Sequence, residues 1–454
     1  MEITVDPMKT SRRNFLSLAI GLPIAGATLA ACGSSGPGTE SSGGDGGGDG
    51  SGGTYWYLSV DPNETIRRTS LDRFNKANAN QAIKGTAFQN DAYKEKIKVA
   101  IGAGQAPTVI WGWGGGGLAS WVDAGAVDDL TSWFDENPDQ KERRFPASFA
   151  AATVDGKIYA VPAETVTPIV LFYNKKVFSE AGLQPPTSWE DILALVPKFK
   201  EKDIAPFALA GQSRWTNMMW LEFLFDRIGG PEIFQAVFEG KADAWSDPAA
   251  IKALGEVQKL VEAGGFVKGF SSITADTNAD QALLTSGKAA MMLHGAWTYG
   301  SMKEEGGDFV SGGDLGFMNF PPVSGGTGDP SNTYGNPGQY YSLSSKATPE
   351  QKEAAKNFFK TQVLSDAEQT DWVNDAGQVP IVVGVDKKFS GLEDAEWLQF
   401  VYDTASKAKT FSQSWDQALS PAAAEELLNN IAKLFALDIT PEEFAKNMNA
   451  VIGK

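Results

Sequence analysis

The chain has 454 residues, 42% of them hydrophobic and 21% charged, with a formal net charge of −17 at pH 7. That length is too great for one ordinary core and implies about two domains. The acidic balance excludes nucleic acid, which selects basic surfaces, and one histidine with one cysteine excludes a His/Cys metal site.

In chain order the first predicted element is an export signal. Ser11-Arg12-Arg13-Asn14-Phe15-Leu16 opens an apolar run over 15–29 that is short for a membrane span and is broken by Pro23 and small residues. Leu29-Ala30-Ala31 then leads into Cys32. Leu-Ala-Ala-Cys resembles a bacterial lipobox, and the paired arginines resemble a twin-arginine signal. The resemblance implies a signal peptide over 1–31, acylation of Cys32, and a protein lipid-anchored at the extracellular face of the bacterial cell membrane. Glu2 and Asp6 sit oddly in a positive n-region, and Met8-Lys9 would start a cleaner signal. Residues 32–53 are mostly Gly and Ser and read as a flexible tether. The globular body is expected from Thr54.

Thr54-Tyr55-Trp56-Tyr57-Leu58 reads as a first strand, and helical spacing follows around Ile66, Leu71 and Phe74. A second helix carries Tyr93, Ile97, Ala100 and Ile101 on one face and ends at Gly102-Ala103-Gly104. Thr108-Val109-Ile110-Trp111 is a short apolar strand. Strands alternating with helices point to an α/β fold. Ser188, Asp247, Thr348, Ser420 and Thr440 are predicted N-caps, several with Pro at the first helical position. The C-terminal third is mostly helical. Thirteen tryptophans are present. Trp offers a broad face on which the apolar side of a sugar ring stacks, although more than half are expected in the core.

From Val154-Asp155-Gly156-Lys157-Ile158-Tyr159-Ala160-Val161-Pro162 onward the chain follows a familiar pattern. It continues through Leu171-Phe172-Tyr173-Asn174-Lys175 and Pro185-Pro186-Thr187-Ser188-Trp189-Glu190, then Gly287-Lys288-Ala289-Ala290-Met291-Met292 with Gly295-Ala296-Trp297. The order and spacing resemble the extracellular sugar-binding proteins of ABC transporters, the class that includes maltodextrin-binding protein. The Asp61-Pro62-Asn63-Glu64 and Trp111–Gly117 stretches are similar to its xylobiose-binding branch. The resemblance implies a two-lobe periplasmic-binding-protein-like fold with a hinge of several crossings. Crossings are expected near 164–166, 341–345 and 377–380. Lobe one would hold 54–164 with 344–378, and lobe two 165–343 with 379–454. Independently, the residues before Pro162 and Pro380 are pushed to extended geometry, which suits a crossing.

The resemblance also places ligand residues. Trp297 and Trp415 match positions that stack sugar rings, and Trp215 matches an aromatic platform. Of Trp111 and Trp113, the second is expected at the ligand and the first on the strand's opposite face. The glycines of 112–117 would let backbone amides approach a ligand closely. Asp416 either accepts hydrogen bonds from hydroxyls or caps the next helix. Asp61 follows the first strand, and Asn90, with Asp91, either meets ligand or caps the second helix. Glu164 sits at the first crossing, and Gln339 and Tyr340 precede the second. Trp220 is expected in the core, and His294 as a structural histidine.

These residues imply a monomeric, non-enzymatic binder that captures a neutral oligosaccharide, such as xylobiose or another short β-linked sugar, and delivers it to ABC permease subunits. No cofactor or metal is called for. Two alternatives stay open at this point. A lipid-anchored glycoside hydrolase would use a carboxyl pair drawn from Glu164, Asp416 and Asp61. A binding protein for another solute class would show fewer aromatic platforms.

Overall fold

The computed structural model describes residues 51–453; the export signal, Cys32 and the tether as far as residue 50 lie outside the described residues. The tether gives way earlier than expected. Gly52 and Gly53 are buried, and the Gly52 N–H donates to the Ala82 carbonyl at 2.7 Å.

Twelve strands build two mixed sheets: β1 Thr54–Leu58, β2 Lys84–Phe88, β3 Val109–Gly112, β4 Val161–Ala163, β5 Thr165–Asn174, β6 Ala205–Ala208, β7 Ala289–Gly295, β8 Leu315–Met318, β9 Thr333–Asn336, β10 Gln339–Leu343, β11 Val379–Pro380 and β12 Phe411–Gln413. The first sheet has the order β2-β1-β3-β10-β4. Its first three strands are parallel, and β10 runs antiparallel to β3 and β4. The second has the order β12-β9-β5-β7-β6, with β8 and β11 also paired to β5. The architecture is an α/β two-lobe binding-protein fold with a helical C-terminal region.

Strand β5 is the longest because it serves four neighbours in turn. Val166 faces Val379, Pro168 faces Gly335, Leu171 faces Leu293 and Phe172 faces Phe317. Its side chains alternate between two cores. Val170 and Phe172 join the cluster that holds Trp397, while Ile169 and Leu171 join the one that holds Phe207 and Trp220.

Helices α1 Asn63–Ala77, α2 Asn90–Gly102, α3 Gly115–Asp123, α4 Trp189–Lys200, α5 Trp215–Gly229, α6 Pro248–Glu262, α7 Pro349–Thr361, α8 Ala395–Ser406, α9 Trp415–Ala418, α10 Pro421–Phe435 and α11 Pro441–Asn449 carry the rest of the argument. The five predicted caps all accept a backbone N–H of the helix they open, and Thr348 with Gln351 and Thr440 with Glu443 form full capping boxes. Each such cap stabilises its helix by about 1 kcal/mol. At α2 the expected caps are not used as such. Gln89 holds the N-cap position without a side-chain bond, and Asn90 and Asp91 form the first turn.

The chain passes between sheets three times. It leaves β4 for β5 through Glu164, and it reaches β11 through 375–378. The middle passage differs from the expected 341–345. β9 ends at Asn336 in the second sheet and β10 already pairs in the first from Gln339, so the crossing is Pro337-Gly338. That dipeptide breaks a strand, and the aromatic run after it suits either sheet.

Candidate functional site

A cavity of about 130 Å³ lies between the two sheets, roofed on one side by the turns after β1 and β3 and on the other by α5, the turn after β7 and the segment 414–417. That is about ten times the space one buried water requires. The lobes are closed around it. Lys94 Nζ lies 3.2 Å from Asp416 Oδ2, Ser213 Oγ donates to Asp91 Oδ2 at 2.9 Å, the Asp91 N–H donates to Asp276 Oδ2 at 3.2 Å, and Gln413 Nε2 donates to the Trp113 carbonyl at 2.7 Å.

The floor is the set of crossings. Glu164 adopts a left-handed φ of 57° and is buried. Its Oε1 accepts from Arg67 Nε at 2.8 Å, Trp111 Nε1 at 2.8 Å and Tyr341 OH at 2.7 Å, and its Oε2 accepts from Arg67 Nη2 at 2.7 Å. An ionised carboxylate offers about four acceptor sites, two on each oxygen; three protein donors crowd Oε1, and Oε2 keeps one site. Glu164 lines the cavity and orients Trp111 through Oε1; the ligand-acceptor role expected from sequence would fall to Oε2. Burial alone would lower Arg67, yet the Glu164 carboxylate holds its guanidinium above the ordinary range. Thr165 ties the other two crossings to the first. Its N–H donates to Gln339 Oε1 at 3.1 Å, and its hydroxyl donates to Gln378 Oε1 at 2.7 Å. Gln339 therefore reaches the cavity with its carbonyl oxygen engaged.

Three of the residues expected as platforms border the cavity. Trp113, Trp215 and Trp297 line the cavity and are half-buried. Trp215 and Trp297 stand 6.0 Å apart at 51°, and the His294 ring meets each edge-on at about 5.4–5.5 Å. Gly295 makes this possible: a Cβ there would fall 1.9 Å from the Trp297 ring. The Trp113 ring lies under Lys94 Nζ at 5.1 Å and against Trp111 at 4.6 Å and 87°. Trp111 itself also borders the cavity, contrary to the expectation that it turns to the strand's other face, because its indole N–H is drawn to Glu164.

Other assignments change. Trp415 is fully buried and stacks on Phe234 at 4.2 Å and 6°, with Phe225 edge-on at 5.0 Å. It is a core residue; its neighbours Asp416 and Gln417 are the ones at the cavity. Tyr340 is buried with its hydroxyl donating to the Ser148 carbonyl, away from the cavity lining. Asp61 is an exposed member of the lining whose Oδ1 accepts from both the N–H and the hydroxyl of Thr65. Asn90 borders the cavity and donates to Asp91 Oδ1. His294 is structural in part: Nδ1 accepts the Gly295 N–H at 2.9 Å, and Nε2 lies 3.4 Å from Asp280. Trp220 is core, edge-on to Phe207 at 4.7 Å.

The glycine run also does something other than expected. A Cβ on Gly116 would sit 2.0 Å from the Leu419 carbonyl, and one on Gly115 would sit 2.4 Å from Gln413 Oε1. The glycines let α3 close on the backbone around α9, lobe against lobe.

Sequence reasoning missed Lys94, Asn278, Gln281, Gln417 and the Met218-Met219 pair, all of which line the cavity. Gln417 was within reach, since it shares a helical turn with Asp416. The segment 275–281 shows no periodic signal that would point inward.

Five buried polar atoms of the lining have no hydrogen-bond partner among the described residues: Trp215 Nε1, His294 Nε2, Asn336 Oδ1, Asp416 Oδ1 and Gln417 Oε1. Such groups cost about 1–3 kcal/mol each unless something satisfies them. Donor and acceptors of this kind, set beside indole faces, suit a ligand with hydroxyls on its rim and apolar C–H faces.

Behind this wall lies Glu222 of α5. Its Oε1 accepts the Trp415 N–H at 2.8 Å. Burial pushes its carboxyl up to about 8 from an ordinary 4.5; that N–H pulls it down and the Asp416 charge pushes it further up. The folded protein therefore keeps a proton that the unfolded chain has already lost between those values. This contribution to stability is complete below the ordinary value and disappears as pH rises through about 8. Glu222→Gln, which stays neutral, is expected to gain in melting temperature relative to the parent as pH rises from 6 to 9; parallel curves would refute this.

The fold and the closed interlobe cavity define a two-lobe solute-binding protein. Residues 60–369 match the family of bacterial extracellular solute-binding proteins, and the chain belongs to that non-enzymatic family. A structure from work on xylan utilization by the thermophilic bacterium Caldanaerobius polysaccharolyticus superposes with a TM-score of 0.79 at 30% identity, over 88% of this chain and 99% of that one. A chitin oligosaccharide binding protein superposes with a TM-score of 0.78 at 24% identity, over 88% and 97%, and shares the fold. The multiple sugar-binding protein of Streptococcus mutans is 29% identical over 255 residues, 54% of this chain and 57% of that protein. The chain spans about half the length of the curated relatives it matches.

Proposed function

We propose that this protein is the solute-capturing component of an ABC transporter for a neutral oligosaccharide, with xylobiose and other short β-linked sugars as the first candidates. The observation that carries the reading is the set of unpartnered polar atoms beside Trp113, Trp215 and Trp297 inside a closed cavity. The names of similar proteins support it: a multiple sugar-binding protein, a maltotriose-binding protein of Pyrococcus abyssi at 27% identity, and the structure from work on xylan utilization.

Indole faces cover the rings, and Asn336, Asp416 and Gln417 take hydroxyls from both sides of the cleft. A sugar that touches both lobes binds the closed form better than the open one and shifts the population towards it. The closed form then docks on a membrane permease. Acylated Cys32 would hold the monomer at the extracellular face of the membrane meanwhile. The hydrolase alternative loses ground, because the chain belongs to a non-enzymatic family and Glu164 already accepts four hydrogen bonds from protein donors.

Calorimetric titration with xylo-, cello-, malto- and chito-oligosaccharides tests the reading. Saturable heat with at least one series is expected; no heat with any of them would sink it.

A further inference from the structure

A second and larger space adjoins the cavity. It has a volume of about 560 Å³ and runs outward between α2, α3 and the start of α10. Five residues border both spaces: Lys94, Trp113, Trp215, Asp416 and Gln417. The two are thus one continuous cleft, narrowed at a seam where Lys94 pairs with Asp416 at 3.2 Å. The inner cavity alone falls well below the roughly 300–1,000 Å³ of a typical ligand pocket, whereas the outer groove is within that range.

The chemistry of the groove matches that of the cavity. One wall offers Ile97, Ile101 and the half-buried Trp121, which rests against Gly112; Leu428 faces them from α10. Polar groups stand at the rim, including Gln212 and the Arg214–Glu425 pair at 3.0 Å. Three of the five unpartnered polar atoms, Trp215 Nε1, Asp416 Oδ1 and Gln417 Oε1, belong to residues at the seam. Their need for partners lies where the two spaces join, which is where a linear ligand would pass from one to the other.

We propose that this groove is an outer subsite that receives the third and following rings of an oligosaccharide whose first rings occupy the inner cavity. Trp121 supplies its apolar platform, and the seam residues bind the hydroxyls of the ring that passes through. The proposal rests on the sugar reading above and adds chain length to it: the preferred ligand is longer than a disaccharide.

The test is calorimetry on the full chain with xylobiose and xylotetraose, together with the best-binding series from the survey above at the same two lengths. The tetrasaccharide is expected to bind at least tenfold tighter than the disaccharide. Trp121→Ala is expected to remove about tenfold from the tetrasaccharide and to leave the disaccharide unchanged. Trp121→Phe keeps a ring against Gly112 and should show the same length-selective loss at smaller size, which covers the case of an alanine variant that folds poorly. Affinity indifferent to length, or a Trp121 effect equal at both lengths, overturns the groove and leaves the sugar reading standing. Absence of binding by every oligosaccharide overturns both.

Discussion

Trp297→Ala will weaken oligosaccharide binding by about thirtyfold and leave the melting temperature near that of the parent chain. The indole is half-buried and forms one wall of the cavity, at the margin of the second core cluster rather than within it. Its contacts are the Trp215 ring at 6.0 Å and the His294 edge at 5.5 Å. Truncating an aromatic anchor in a desolvated site costs about 2 kcal/mol or more, and about 1.4 kcal/mol is tenfold in affinity. The same truncation at Trp415 should behave in the opposite way. That ring is fully buried between Phe234 and Phe225, so Trp415→Ala opens a core cavity and costs about 3–5 kcal/mol of stability. Paired thermal melts and titrations separate the two. Equal affinity losses with equal melting temperatures would show that the site map is wrong.

Arg67→Ala is expected to destabilise the fold as strongly as the Trp415 truncation, by about 3–5 kcal/mol, because breaking a buried ion pair strands the remaining charge. Arg67 and Glu164 are 5% and 1% exposed, so little solvent is available to rescue either one. Glu164 would keep only the Trp111 and Tyr341 donors, and the Leu58 carbonyl would lose the Arg67 Nη1 bond it accepts at 3.0 Å. Replacing both partners, as Arg67→Met with Glu164→Gln, removes the charges together and should restore a large part of the loss. Denaturant titration of the two single variants and the double variant measures this. Additive losses in the double variant would mean that the carboxylate and guanidinium do not act as a pair. Ligand affinity should fall in parallel with Glu164→Gln, since Trp111 then loses the charged acceptor that orients it.

Much of this was legible in the chain. The caps at Thr348 and Thr440 announce themselves because two residues three positions apart carry the whole interaction. The first strand and the face of Tyr93, Ile97 and Ala100 follow from periodicity alone. Trp297 was legible through a motif, Gly295-Ala296-Trp297, whose glycine has a direct steric purpose. Trp415 was misassigned because a resemblance gives a position in the chain and not the direction of a side chain. On a single helical turn Asp416 and Gln417 meet the cavity while Trp415 enters the core. Glu164 lies where the chain leaves β4 for β5, but its hydrogen bonds come from Arg67, Trp111 and Tyr341, which lie 97, 53 and 177 residues from it. The contacts that shut the cleft are equally remote: Lys94 and Asp416 are 322 positions apart. No local pattern encodes such pairs.

The contact of Gly116 with the backbone of Ala418 and Leu419 sets a tolerance at that point of the closure. Where two surfaces meet through main chain alone, their spacing is fixed by the thickness of the peptide itself, and no rotamer can take up slack. The shut position is therefore a hard stop rather than a soft one. A guest of the right hydroxyl pattern but too great a girth would leave the jaws ajar, and the clearance would reject it even where every hydrogen bond could form. Such a gauge, set by glycine, would act mechanically beside the chemical one that the indole and amide lining would provide.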